Sequence, residues 1–220
     1  MIEYLLTRSS RKTIGITVKD GKVFVRAPKY ASKKDIDNFV LCSTEWINRK
    51  LSACENKESR FADYTEYRKF LYRGKVLDEQ TVPAKRLRIE NGTAYIPAKW
   101  ERSQTVKAMA SAYKRQAEQF LEERLSRLAS ACGFVYEKFM TTNARTKWGS
   151  CSSDGTVRLN WRLILLPDGL IDYVIVHELC HTKQMNHSRE FWDLVSKFIP
   201  DVKQRRKTLK SYSPLIETFR

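Results

Sequence analysis

All three histidines of the chain fall in one short stretch, His177-Glu178-Leu179-Cys180-His181-Thr182-Lys183-Gln184-Met185-Asn186-His187. Its first five residues have the pattern H-E-x-x-H. Two histidines at i and i+4 of a helix project from one face, a turn apart. Their imidazoles can then reach a single Zn²⁺ at about 2.0–2.1 Å each. Glu178, directly after the first histidine, can reach a water activated at the metal and take its proton as general base. The ion lowers the pKa of such a water towards roughly 7, which makes hydroxide available at neutral pH.

A hydrolytic zinc site needs a third protein ligand and an open position. His187 lies six residues past His181, across Asn186, a residue suited to a turn. The spacing equals that of H-E-x-x-H-x-x-G-x-x-H, but Gln184 stands where that motif has its turn-forming Gly. The change predicts a longer helix that ends near Met185 or Asn186 before the chain turns back. His187 is the expected third ligand, with Glu190 and Asp193 as alternatives. H-E-x-x-H can also arise by chance on a surface helix. Here the preceding Leu170-Ile171-Asp172-Tyr173-Val174-Ile175-Val176 is mostly apolar, and Leu170, Val174, His177 and His181 share one stripe at helical spacing. Buried histidines and a buried glutamate need partners. One zinc ion per chain would supply them.

Several elements must position this stretch. Val157, Leu159, Trp161, Leu163 and Leu165 alternate with Arg158, Asn160 and Arg162, which predicts a half-buried strand over 157–165. The turn Asp154-Gly155 joins it to the segment before it as a hairpin. Pro167 ends the strand, and Asp168 can cap the metal helix. Apolar residues from Val106 to Leu128 recur at helical spacing, so a long helix is expected from near Ser103 to Cys132-Gly133. Upstream, residues 2–7 and 13–26 read as strands with an Asp20-Gly21 turn. Ser32 can cap a helix reaching about Ala53, and 54–62 reads as a polar linker. Strands follow at 67–76 and 87–96, with Asn91-Gly92 as a hairpin turn. The domain boundary is expected near residue 100, with a β-rich N-terminal module (1–100) and a catalytic domain (101–220).

The net charge of +16 suggests an anionic partner, and a basic surface could carry nucleic acid. Residues 1–34 hold nine basic side chains against two acids, so the first hairpin is the best anion-facing surface. The bland alternative is a solvated sheet guarded by lysines. Five cysteines without a C-x-x-C argue for reduced thiols and a cytoplasmic setting. The N-terminus lacks the pattern of a signal peptide, and no apolar run approaches a membrane span. Oligomeric state leaves no mark in the sequence.

Arg145-Thr146-Lys147-Trp148-Gly149-Ser150-Cys151-Ser152, then the hairpin, the histidine block, Asn186-His187-Ser188 and Phe191-Trp192 together resemble the YgjP-like metallopeptidase family. That family is related to the SprT and WLM group of zincin-like proteins. Ala27-Pro28 ahead of a helix with Trp46-Ile47 is similar to the family too, so the resemblance covers most of the chain. It implies an α+β fold whose zincin-like C-terminal half sets the H-E-x-x-H helix beside a small sheet. It further implies His177, His181 and His187 as zinc ligands and Glu178 as catalytic base. In the zincin arrangement an edge strand pairs with an extended substrate. Trp148, Gly149 and Ser150 are expected to form that rim, since Gly permits close backbone approach. Arg145 is a candidate stabiliser of the oxyanion. The expected activity is a zinc-dependent metallopeptidase acting on peptides. Some family members are labelled UTP pyrophosphatases, so a nucleotide substrate is the alternative, with Arg145 and Lys147 near the phosphates; the chain has no P-loop. A nucleic-acid-associated protease is a further alternative.

Overall fold

The computed structural model describes residues 2–19 and 21–219, with the backbone alone at 56–59. The chain divides into two compact units, Met1–Ala62 and Asp63–Arg220. The fold is mixed α+β, as expected.

In the first unit β1 (Leu5–Ser9), β2 (Gly15–Lys19) and β3 (Lys22–Pro28) form a sheet of order β1-β3-β2. β1 runs parallel to β3, and β2 pairs with it antiparallel. Of the expected Asp20-Gly21 turn, Asp20 lies outside the described residues, and Gly21 has φ +67°. Alternation puts Val23, Val25 and Ala27 on the inner face, packed with Ile36, Val40 and Ile47. These come from α1 (Lys33–Cys42) and α2 (Thr44–Thr65). Ser32 caps α1 by accepting from the Asp35 N–H at 3.1 Å. The helix expected to reach Ala53 breaks at Ser43, and the stretch expected as a linker continues α2, with Phe61 buried. Its Glu, Lys, Arg and Ala residues favour helix, and polarity without Gly or Pro does not break one.

The second unit opens with the short hairpin β4 (Leu71–Tyr72) and β5 (Lys75–Val76). A sheet of order β6-β8-β7 follows, from β6 (Asp78–Val82), β7 (Arg88–Glu90) and β8 (Thr93–Pro97). Asn91 and Gly92 both take positive φ in its hairpin, as the dipeptide predicts. α3 (Arg102–Cys132) starts with a Glu101–Gln104 capping box and stops at Gly133, whose φ is +68°. Met109, Tyr113, Ala117, Leu121 and Leu125 are its buried stripe. β9 (Lys138–Thr142), β10 (Gly149–Cys151) and β11 (Thr156–Asn160) form a sheet of order β10-β11-β9. α4 (Asp168–Cys180), α5 (Arg189–Phe198) and α6 (Val202–Ser211) complete the unit.

The boundary expected near residue 100 is not where the chain divides. Residues 63–100 are bonded into the C-terminal half. The buried Tyr113 hydroxyl donates to Leu71 O at 2.6 Å, Arg73 N–H to Ile164 O at 2.7 Å, and Phe219 N–H to the Tyr67 hydroxyl at 2.6 Å. The strand expected over 157–165 is also shorter. It ends at Asn160, whose side chain accepts from Arg162 N–H at 3.1 Å and turns Trp161–Leu165 into a 3₁₀ helix. Arg162 is 2% exposed and donates to Thr218 O at 2.6 Å and Asn143 Oδ1 at 2.7 Å. A buried arginine with fixed partners therefore imitated the polar side of a strand.

α4 is buried on nearly all sides: Leu170, Ile171, Tyr173, Val174, Ile175, Val176, Leu179 and Cys180 are all inside. Its two early acids are clamped. Pro167, not Asp168, is the cap residue, and the Asp168 carboxylate instead accepts from Arg73 Nε at 2.8 Å. One turn on, Arg124 binds Asp172 through two hydrogen bonds of 2.6 and 2.8 Å. Asp172→Ala should leave Arg124 unpaired and lower the unfolding free energy by about 1–3 kcal/mol in a denaturant titration. The Arg73 hydrogen bond holds the Asp168 carboxyl below its ordinary value. Its contribution is then present above the unfolded pKa of about 4 and lost as pH falls through the lower folded value. Asp168→Asn should lower stability at neutral pH and flatten that acid limb of the stability curve, in denaturant titrations run across pH.

Candidate metal centre

α4 ends at Cys180, and His181 takes the cap with φ −66° and ψ −20°. The N–H groups of His181, Thr182 and Lys183 donate back to Glu178 O, Leu179 O and Cys180 O at 3.2, 3.0 and 3.1 Å. This tight turn closes the helix earlier than the expected end near Met185 or Asn186. Gln184 is not among the residues of positive φ, so the turn does not require the missing Gly. The chain then reaches His187 just ahead of Ser188, which caps α5.

The result is a cluster. His177, His181 and His187 each offer a ring nitrogen, and the three lie within 4.8 Å of one another. His177 Nε2 and His187 Nε2 are 3.1 Å apart. Tetrahedral zinc with nitrogens at about 2.0–2.1 Å would separate its ligands by about 3.3 Å, so this spacing fits an ion. His181 Nδ1 lies 3.0 Å from Gln184 O. Donation there selects the tautomer with a free Nε2 lone pair, as a metal ligand requires. His177 Nδ1 is buried and has no hydrogen-bond partner among the described residues, so packing holds that ring: Phe191 lies 4.9 Å and Tyr173 5.9 Å away between centroids. Burial first, then the neighbouring histidines and Arg206, pushes the His177 pKa down to about 3, and burial lowers His181 as well. Neutral imidazoles are the metal-binding form. The other ligand candidates are engaged elsewhere. Glu190 is exposed and bonded to Ser188, and Asp193 faces Arg189 at 3.7 Å.

Glu178 is 6% exposed, and burial pushes its carboxyl up to about 8 against the opposing charge of Lys147. Gly149 of β10 lies directly on it. A Cβ there would come within 2.7 Å of Glu178 Cγ and Oε1. The glycine therefore makes room for the carboxylate itself. β10 is an edge strand, paired with β11 as Gly149↔Leu159, Ser150↔Arg158 and Cys151↔Val157. Trp148 O accepts from Asn160 N–H at 2.8 Å. Arg145 is exposed in the loop that leads to this strand, and no contact among the described residues ties it to the histidines. Burial raises the thiols of Cys151 and Cys180, the latter to about 12, so both serve packing.

Sequence reasoning missed part of the surround. Tyr173 is 4% exposed beside His177. Its signal was present, since Tyr173, His177 and His181 repeat at intervals of four. Trp192 stacks on His187 at 5.5 Å, and the exposed Arg206 lies over the Trp192 ring at 4.8 Å. Its charge bears on both His177 and Tyr173. No local spacing could reveal Arg206, because α6 reaches the cluster only through the fold.

The model of the YgjP-like metallopeptidase domain matches residues 12–212. The chain belongs to the YgjP-like metallopeptidase family. Among solved structures it is similar to the metallopeptidase zymogen abylysin of Pyrococcus abyssi, at 23% identity and TM-score 0.38, over 40% of this chain and 90% of that one. It is likewise similar to the zymogen jannalysin of Methanocaldococcus jannaschii, at 19% identity and TM-score 0.37, over 40% and 92%. No curated protein matches the chain. Among the described residues, no helix of this family member is long and apolar enough to cross a membrane.

Calorimetric titration of metal-stripped protein with zinc should give one site per chain. His187→Ala should weaken it by roughly a hundredfold or more, whereas Glu190→Ala and Asp193→Ala should leave it unchanged. The reverse pattern would move the third ligand to a carboxylate.

Proposed function

We propose that this YgjP-like metallopeptidase is a zinc-dependent peptidase with His177, His181 and His187 as ligands and Glu178 as general base. The observation that carries the reading is the convergence of three imidazoles beside a buried glutamate that presses against an edge strand. Three imidazoles with no carboxylate suit zinc among the available metals. When bound, the ion would supply a Lewis acid that polarises a carbonyl and acidifies water.

The chain's own residues do the rest. An extended peptide adds to the free edge of β10, with Trp148, Gly149 and Ser150 presenting the backbone that holds it. That pairing sets the scissile carbonyl beside the histidines, because Gly149 contacts Glu178 directly. The Glu178 carboxylate takes a proton from the attacking water and passes it to the leaving nitrogen. The carbonyl oxygen gains negative charge meanwhile and needs a donor. Arg145 is one candidate. Tyr173 and Arg206 have better support, since Tyr173 touches His177 and the Arg206 charge reaches both.

Cleavage of a proteome-derived peptide mixture, followed by mass spectrometry, tests this. Glu178→Gln should abolish cleavage while zinc still binds, and peptide cleavage by that variant at the native rate would refute the mechanism. Nucleoside triphosphates belong in the same experiment. Glu178-dependent phosphate release without peptide cleavage would move the reading to phosphoanhydride hydrolysis. Arg206→Ala should lower kcat by roughly a hundredfold, and Arg145→Ala by less than about tenfold.

Gly149→Ala offers a sharper test. The added methyl must displace Glu178 or β10. Cleavage should fall by at least about a hundredfold with zinc affinity retained, because a misplacement of about 1 Å at the reacting centre has that effect.

A further inference from the structure

The metal centre leaves the basic first unit without a role. Within its three strands there are four basic residues, Arg8, Lys19, Lys22 and Arg26, and no acid. Arg8 is used internally, donating to the carbonyls of Pro28, Lys29 and Ala31. The others follow the pleat. Val23 and Val25 of the central strand β3 face the helices, so Lys22, Phe24 and Arg26 share the opposite face. Lys22 and Arg26 are exposed, and among the described residues neither has a carboxylate partner. Phe24 stands midway between them, about 7 Å from each along the strand.

The neighbouring strands extend this row. Leu5 and Thr17 flank Phe24 in register, and Leu5 is 54% exposed. Lys19 is paired with Lys22, and Gly15 with Arg26. The Arg11 guanidinium lies over Gly15, 3.0 Å from where its Cβ would be, so it joins the same face beside Arg26. Arg11 Nε is buried and unpartnered. At the same end Tyr30 is 79% exposed, its hydroxyl donating to Lys12 O at 3.4 Å. Lys22, Arg26 and Arg11 are gathered on this one face, and like charges so placed repel one another and are relieved by an anionic partner.

We propose that this face of the β1-β3-β2 sheet binds single-stranded nucleic acid, with an unpaired base on Phe24 and phosphates on Lys22, Arg26 and Arg11. An aromatic ring between cations on an open sheet is the arrangement that stacks one base while holding the backbone on either side. A duplex keeps its base faces covered and gains only the cations. The assignment is independent of the proposed peptidase activity.

The test uses the full chain and a fluorescein-labelled deoxythymidine oligonucleotide of about 12 nucleotides, read by anisotropy at about 50 and 200 mM salt. The expected result is binding at low salt, with a log–log salt slope of about −2 for three phosphate contacts. Phe24→Ala weakens it roughly tenfold or more with the slope unchanged, and Phe24→Leu does the same while keeping apolar bulk. The double variant Lys22→Glu and Arg26→Glu loses binding and keeps its melting temperature. Glu178→Gln binds like the native chain, which separates this surface from the metal centre. Absence of binding at low salt overturns the proposal, as does binding that survives the Phe24 and charge-reversal variants. Equal affinity for a duplex, or tighter binding to phosphatidylserine vesicles, overturns it too.

Discussion

The second unit depends on the burial of one helix. α4 is apolar around most of its circumference, so each polar group it carries must find a partner inside the protein. Asp168 finds Arg73 and Asp172 finds Arg124. Those two ion pairs fix the rotation and the axial position of the helix from the β4–β5 turn and from α3. The histidines at its other end have no such counter-groups. Protonated imidazoles would be unpaired charges in a low-dielectric site, so burial keeps His177 neutral. With His181 and His187 close by, the three ring nitrogens form a group that could hold a cation.

The same burial holds the Glu178 carboxyl against the sheet. The Glu178 side chain lies against Gly149 of β10, where a glycine leaves it space. The free edge of the β10 strand and the Glu178 carboxyl are thus close neighbours, with no room for a side chain between them. The tight turn after His181 adds the third histidine at fixed distance, because its backbone hydrogen bonds close within three residues.

How much of this was legible in the sequence follows from how local each feature is. The i, i+4 histidines, the Ser32 and Gly133 helix ends and the Asn91-Gly92 turn depend on neighbours a few residues away, and all appear as expected. Features settled by distant partners were misread. Arg162 looked like the wet side of a strand until Thr218 O and Asn143 were available to it. Residues 54–62 read as a linker because they are polar, yet they hold no Gly or Pro to stop α2. The boundary near 100 failed because Leu71 and Arg73 find their partners in the C-terminal half. Gln184 was weighed as the loss of a glycine, but a turn without positive φ has no need of one. Arg206 and Trp192 reach the cluster only once α5 and α6 have packed.

The charge around the cluster bears on what the centre favours. The chain carries +16 overall, which opposes the approach of any cation. Affinity for a metal ion would therefore have to come from the ligand bonds, since the net charge does not help. Three neutral imidazoles leave the full charge of a dication in place, whereas each carboxylate ligand would cancel part of it. Lys147 stands on the Glu178 side and Arg206 on the Tyr173 side. Such a field would favour hydroxide and a developing oxyanion at the centre, the species a hydrolytic reaction must form. A centre with a carboxylate in place of His187 would hold its metal more readily and polarise a carbonyl less. With His187 as the third ligand, binding strength would yield to transition-state charge.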